Sequence, residues 1–164
     1  MVDKSSLLGA PREEYESAHR EHLLEQYKLY VEMADRVSQR RGQANAFYVS
    51  LLLALLAWLT FLADRDFSSA AQDAVLVGTG VAGIFVCFIW YVHIRSYQQL
   101  NSGKFKVIHE MEQLLPFPCY DREWELLGVG QDKRKYLQVS VVEQFAPGFL
   151  GLLYFGLILF AVVS

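Results

Sequence analysis

The chain has 164 residues, 53% of them hydrophobic and 20% charged, with a formal net charge of −3. That charge is too small, and the Lys and Arg residues are too scattered, for a phosphate-tracking nucleic-acid surface. Its two cysteines, Cys87 and Cys119, are too few to build a disulfide or metal framework.

The first residues are expected to be loose, because Gly9 and Pro11 interrupt any helix. They carry no apolar run of the signal-peptide kind, so the first membrane helix is expected to serve as its own insertion signal. From Glu13 to Gln43 the composition changes to helix formers. Small or apolar residues recur there at Leu23, Tyr27, Tyr30, Ala34 and Val37, continued upstream by Ala18 and Tyr15. Steps alternating between four and three describe a helical seam. Residues 1–45 therefore read as an extramembrane amphipathic helix that packs on another helix. Frequent acidic residues on its polar face disfavour a membrane-surface role. Arg40 and Arg41 come next, and Asn45, Phe47 and Tyr48 have the composition of a membrane interface. Gly42 is the only weak helix former nearby, so this helix is expected to run on into the bilayer.

Two charge-free apolar runs follow, 46–63 and 74–92, separated by a polar turn. Each approaches the roughly 20 residues that cross about 30 Å of hydrocarbon. Residues 46–95 are thus expected to form a transmembrane hairpin. In its second arm Gly78 and Ala82 are small residues four apart, a spacing that permits close approach of membrane helices. Cys87 suits an apolar filler. Trp90 and Tyr91 form an aromatic belt, and Arg95 an anchor. His93 reads as an interfacial hydrogen-bonding group, with a proton relay as the alternative.

Residues 96–140 are expected to be a second extramembrane helical segment, with apolar positions at Leu100, Phe105, Ile108, Met111 and Leu115. Pro116 and Pro118 stop it. A short helix capped by Asp121 and ended by Gly128 follows. The Gly128-Val129-Gly130 stretch lacks the strand and the third glycine of a dinucleotide site. Residues 141–164 read as a third membrane helix with Pro147 in its first turn, a re-entrant segment being the alternative.

Of the 15 Lys and Arg residues, seven precede the first span and seven lie between the second and third. Arg65 alone lies in the hairpin turn. The positive-inside rule then puts the N-terminus and the middle segment in the cytoplasm and Ser164 on the other side.

Few residues suggest chemistry. His19 and His22 stand three apart but lack the four ligands of a structural zinc site. Cys119 with His109 is a weak nucleophile–base pair. His109, Glu110 and Glu112 otherwise look like ordinary polar positions. Glu143, at the edge of the third span, is costly there unless it caps, pairs with Arg134 or Arg40, or lines a wet vestibule. A channel would be wetted by Ser50, Thr60, Thr79 or Glu143 contributed by several copies. The candidate pore or interface residues are therefore Glu143, His93, Gly78, Ala82, Arg40 and Arg41. No catalytic, cofactor or metal residue is assigned.

Two stretches carry a resemblance. One runs from Tyr27-Lys28-Leu29-Tyr30-Val31-Glu32 to Ser38-Gln39-Arg40-Arg41, then Asn45 and Phe47. The other runs from Asn101-Ser102-Gly103-Lys104 through His109-Glu110-Met111-Glu112 to Leu115-Pro116, Tyr120, Glu123-Trp124 and Gly128. With Tyr136, Val142-Glu143 and Pro147, they resemble the RipA family of small octameric bacterial inner-membrane proteins. The resemblance implies a homo-oligomer of eight subunits in the cytoplasmic membrane, with no established enzymatic chemistry.

The expected protein is all-α and polytopic, with three membrane helices and long cytoplasmic helical extensions. Its partners are the lipid bilayer and further copies of itself, not nucleic acid, and it needs no cofactor. It is expected to form a ring-like pore or scaffold. The alternatives are a structural partner of another membrane complex and a membrane-tethered enzyme or metal-binding protein.

Overall fold

A computed structural model describes residues 18–63, 68–129 and 139–163. Five helices lie among the described residues: α1 (His19–Ala63), α2 (Ser69–Glu112), α3 (Cys119–Leu126), α4 (Val139–Glu143) and α5 (Phe145–Val163). There are no strands among the described residues. Helices α1, α2 and α5 each contain a stretch long and apolar enough to cross a membrane.

At 45 and 44 residues, α1 and α2 extend for about 65 Å each, roughly twice the hydrocarbon thickness. No break occurs where the composition changes. Gly42 lies inside α1, and the compositional boundaries near residues 45 and 95 fall within unbroken helices. Ser69 to Asp73, expected in the turn, already belong to α2. Arg65 and residues 130–138, which include Arg134, lie outside the described residues, as do Tyr15 and the Gly9–Pro11 region. α5 has 19 residues and so reaches about 28 Å, with Pro147 in its first turn, where a missing N–H costs little.

α2 is the central element, packing on α1 along one side and on α5 along another. Its buried positions are Gly80, Gly83, Cys87, Trp90, Ile94, Lys104, Ile108 and Glu112, which share one helical stripe. Tyr48 and Leu52 of α1 and Tyr154 of α5 complete the apolar core around Trp90 and Cys87. The closest helix approach falls at Gly80 and Gly83. A Cβ at Gly83 would lie 2.1 Å from the Tyr154 ring, and one at Gly80 would lie 2.4 Å from Ile158. Gly78 faces open space and Ala82 is exposed, so this pair does not mediate the packing within a protomer. The four-residue small–small spacing is present in the sequence, but the register set by Trp90 and Cys87 turns that face outward.

In the extramembrane half, the seam of α1 follows the expected positions. Ala34 is buried, and Leu23, Tyr27, Tyr30 and Val37 are partly so, between exposed neighbours. The corresponding seam of α2 departs from expectation at Leu100, which points outward. Ile108 is buried and Phe105, Met111 and Leu115 are partly so, and Lys104 and Glu112 take inward positions beside them.

Candidate functional site

Three polar layers stand along α1 and α2 beyond the apolar core. At the lower layer, Trp90 Nε1 donates to Asn45 Oδ1 at 2.8 Å, and the Tyr48 hydroxyl and His93 Nδ1 lie 2.8 Å apart. Tyr48 stacks on Trp90 with ring centroids 6.0 Å apart. His93 thus has a hydrogen-bond partner on the neighbouring helix, as an amphipathic ring at an interface requires.

Above it, Arg41 Nε lies 3.4 Å from Glu143 Oε2, with both side chains about four-fifths buried. The pairing compensates the charge of a carboxylate at a membrane edge, while Arg41 Nε and Glu143 Oε2 make no hydrogen bond among the described residues. Among the described residues the cation is Arg41 and not the expected Arg40, because Arg41 shares the inward face of α1 with Ser38 and Asn45, whereas Arg40 is exposed; the other expected partner, Arg134, lies outside the described residues. Gln144 Nε2 donates to Gln98 Oε1 at 2.8 Å, which ties the start of α5 to α2.

The outer layer is organised by Glu112, whose side chain is fully buried. Its carboxylate accepts from the Tyr27 hydroxyl at 2.8 Å, from Tyr120 N at 3.0 Å and from Asp121 N at 3.0 Å. The last two are backbone donors in the first turn of α3, which a helix leaves without internal partners. Glu112 therefore caps α3 from eight or nine residues upstream. This corrects the expected capping by Asp121, which lies inside the helix and is itself capped. Asp121 instead lies 3.2 Å from Gln113 Nε2 and 3.7 Å from His109 Nδ1. Gly128 ends the short helix as expected, with φ of 76°. Desolvation, reinforced by the hydrogen bond to Glu112, raises the Tyr27 hydroxyl well above its ordinary range, so it stays a donor. Burial also raises Tyr120. Two turns of α2 inward, Lys104 Nζ lies 4.6 Å from the centre of the Tyr30 ring, a cation–π contact from a buried lysine.

Between these layers, α1, α2 and α3 enclose an open cleft of about 1050 Å³, lined in part by Arg41, Arg95, Asn101, Lys106 and Trp124. Asn101 Oδ1 is buried with no hydrogen-bond partner among the described residues.

The other candidates are dispersed. Cys119 is exposed, its Sγ directed to the Phe117 carbonyl, while His109 faces Asp121, so the two do not form a nucleophile–base pair. Among the described residues no three metal-ligating side chains converge. Thr60 donates to the Ala57 carbonyl of its own helix, Ser50 is exposed and Thr79 is half-buried. Glu112 and Lys104 carried no motif. Their one legible signal is position: Lys104, Ile108 and Glu112 are four residues apart, on the stripe that continues upward from Ile94.

A family model, the octameric membrane protein family (8xMP), matches residues 24–163. No curated protein and no solved structure matches the chain. The match covers both long helices, the capped short helix and the third span, and on that extent the chain belongs to the octameric membrane protein family.

Proposed function

We propose that eight copies close into a ring in a bacterial inner membrane and act as a scaffold rather than as an enzyme. The extramembrane halves of α1 and α2 hang into the cytoplasm in this arrangement, and Ser164 faces the opposite side. The observation that carries the reading is an apolar stripe outside the hydrocarbon. Leu100 and Val107 of α2 and Leu114, in the turn that follows it, recur every seven residues and are 49%, 39% and 64% exposed. Lipid tails cannot cover residues at that distance from the spans, and apolar surface of this kind seeks a protein partner. Leu29 and Met33 of α1 are exposed one helical turn apart and offer a matching patch. The even split of cations on either side of the hairpin supports the orientation.

A scaffold is favoured over a conducting pore because no charged residue lies within 46–63, 74–92 or 148–163. Light scattering of the protein in mild detergents should give an eight-subunit particle for the native chain. A V107E/L114E variant should fall to less than half that mass while keeping its helical circular dichroism. A native chain that runs as a monomer in several mild detergents would overturn the ring. Liposomes carrying the protein should show no ion flux above background, and steady conductance would replace the scaffold with a channel.

A further inference from the structure

Outside the hydrocarbon, the α1–α2 pair has one apolar side and one hollow side. The two helices run antiparallel, with Tyr27 against Glu112 and Tyr48 against His93. Each residue turns a helix by about 100°. Met33 immediately precedes the buried Ala34, and Val107 immediately precedes the buried Ile108. In an antiparallel pair, an equal step back from the inward stripe brings both residues to the same side. Leu29 and Met33 thus widen the Leu100–Val107–Leu114 stripe into one apolar side. Phe105 and His109 immediately follow the buried Lys104 and Ile108 and so turn to the opposite side. There they line the cleft of about 1050 Å³ together with Trp124 and Leu127 of the α3 region.

An apolar side that met its own copy would make a two-fold contact, which joins two protomers and no more. Closing eight copies that all cross the membrane in one sense requires a head-to-tail contact between two different surfaces. Rotation about an axis normal to the bilayer keeps each residue at its own depth. Leu100 and Val107 fall within the part of α2, from Arg95 to His109, that lines the cleft. The apolar side of one copy and the hollow side of the next therefore meet at one level. The cleft is also incomplete in one protomer, because Asn101 Oδ1 is buried there without a hydrogen-bond donor among the described residues, a costly state.

Given the eight-membered ring, on which this placement rests, we infer that each copy seats Leu100 and Val107 in the cleft of the next copy, against Phe105, Trp124 and Leu127. Eight repeats of that contact close the ring.

The test uses the full chain in mild detergent, carrying Cys119→Ser because Cys119 is exposed while Cys87 is buried. Leu100→Cys and Ser102→Cys are introduced singly and together, and a short bismaleimide is added. Both positions are exposed. Two residues apart on one helix, they point about 160° from each other and cannot be linked within a protomer. The double variant should give a denaturing-gel ladder of up to eight chains, and each single variant should stay at one chain. Dimers from Leu100→Cys alone would overturn the seating, because the stripe would then meet itself. A double variant that gives no ladder in a particle of eight subunits would also overturn it and leave the ring standing. A native chain that runs as a monomer would remove both. Ser102→Trp fills the cleft from its exposed wall and should bring the particle below half its mass with helical circular dichroism unchanged. A Ser102→Trp particle that keeps eight subunits would overturn the seating as well.

Discussion

The membrane half and the extramembrane half of the α1–α2 hairpin are built on opposite plans. Near the spans the inward stripe is small, apolar or aromatic: Gly80, Gly83, Cys87 and Trp90 meet Leu52 and Tyr154, and the polar groups there are paired locally. Further out, the inward stripe turns polar, with Lys104 and Glu112 facing Tyr30 and Tyr27, while Leu100, Val107 and Leu114 turn outward. A protomer that hides charge and shows leucine outside the hydrocarbon is incomplete alone. The difference teaches that the membrane half is organised for a three-helix bundle and the outer half for company.

The largest effect is expected where the outer plan depends on one group. Glu112→Ala would leave two first-turn N–H groups of α3 and the Tyr27 hydroxyl without their shared acceptor. Hydrogen bonds to a charged group are worth about 1.5–3 kcal/mol each, and losing a buried network of this kind costs about 3–5 kcal/mol in total. Thermal unfolding in detergent, read by helical circular dichroism, should shift down accordingly. Protease sensitivity should appear first around residues 119–129. Glu112→Gln, which keeps one acceptor oxygen, should lose markedly less. Equal stability of native and Ala proteins would remove Glu112 from its central position.

The membrane half is challenged by Gly83→Val. A Cβ there would overlap the Tyr154 ring, and overpacking of this sort costs about 1–3 kcal/mol. Gly78→Val meets no atom within 4 Å in the protomer and should leave its stability within about 0.5 kcal/mol. The pair of variants separates packing inside a protomer from packing between copies. A loss of subunits in Gly78→Val alone would put the Gly78–Ala82 face at the contact between neighbours. Smaller again is Lys104→Gln, which removes the cation above Tyr30 and should cost about 1 kcal/mol.

The sequence made the membrane half legible because its signal is compositional. Charge-free runs, flanking cations and interfacial aromatics do not depend on which way a helix is rotated, so the hairpin, the third helix and the unbroken α1 could all be anticipated. Rotation was harder to read. Gly78 and Ala82 have the spacing of a helix contact, yet Gly80 and Gly83 make it, because the choice depends on where Trp90 and Tyr154 settle. Arg41 rather than Arg40 meets Glu143 for the same reason. The cap on α3 was hidden by distance along the chain, since capping rules look for a residue beside the helix and Glu112 stands beyond two prolines. The apolar spacing from Leu100 to Leu115 turns inward at Ile108 and partly at Phe105, Met111 and Leu115, but Leu100, like Val107 and Leu114, faces outward, which no single-chain periodicity distinguishes from a core.

The finest comparison sets Tyr27 against its phenylalanine variant across pH. Below pH 10 the hydroxyl is protonated in both folded and unfolded chains and donates to Glu112 only in the folded one. Tyr27→Phe should then cost about 1.5 kcal/mol, the value of a hydrogen bond to a charged acceptor at a partly exposed position. Burial, and next the Glu112 carboxylate, raise the folded-state pKa above the ordinary 10.0. The unfolded chain therefore begins to lose this proton near pH 10 while the folded chain keeps it. Stability falls wherever the folded state holds more protons than the unfolded one, so the native protein loses its advantage as pH climbs above 10. The phenylalanine variant lacks that titration. Melting curves of the two proteins should run parallel from pH 7 to pH 9.5 and converge above it. Curves that stay parallel to pH 11 would mean that Tyr27 does not sit against a buried carboxylate, and that the outer half of the hairpin lacks the polar seam that distinguishes it from the inner half.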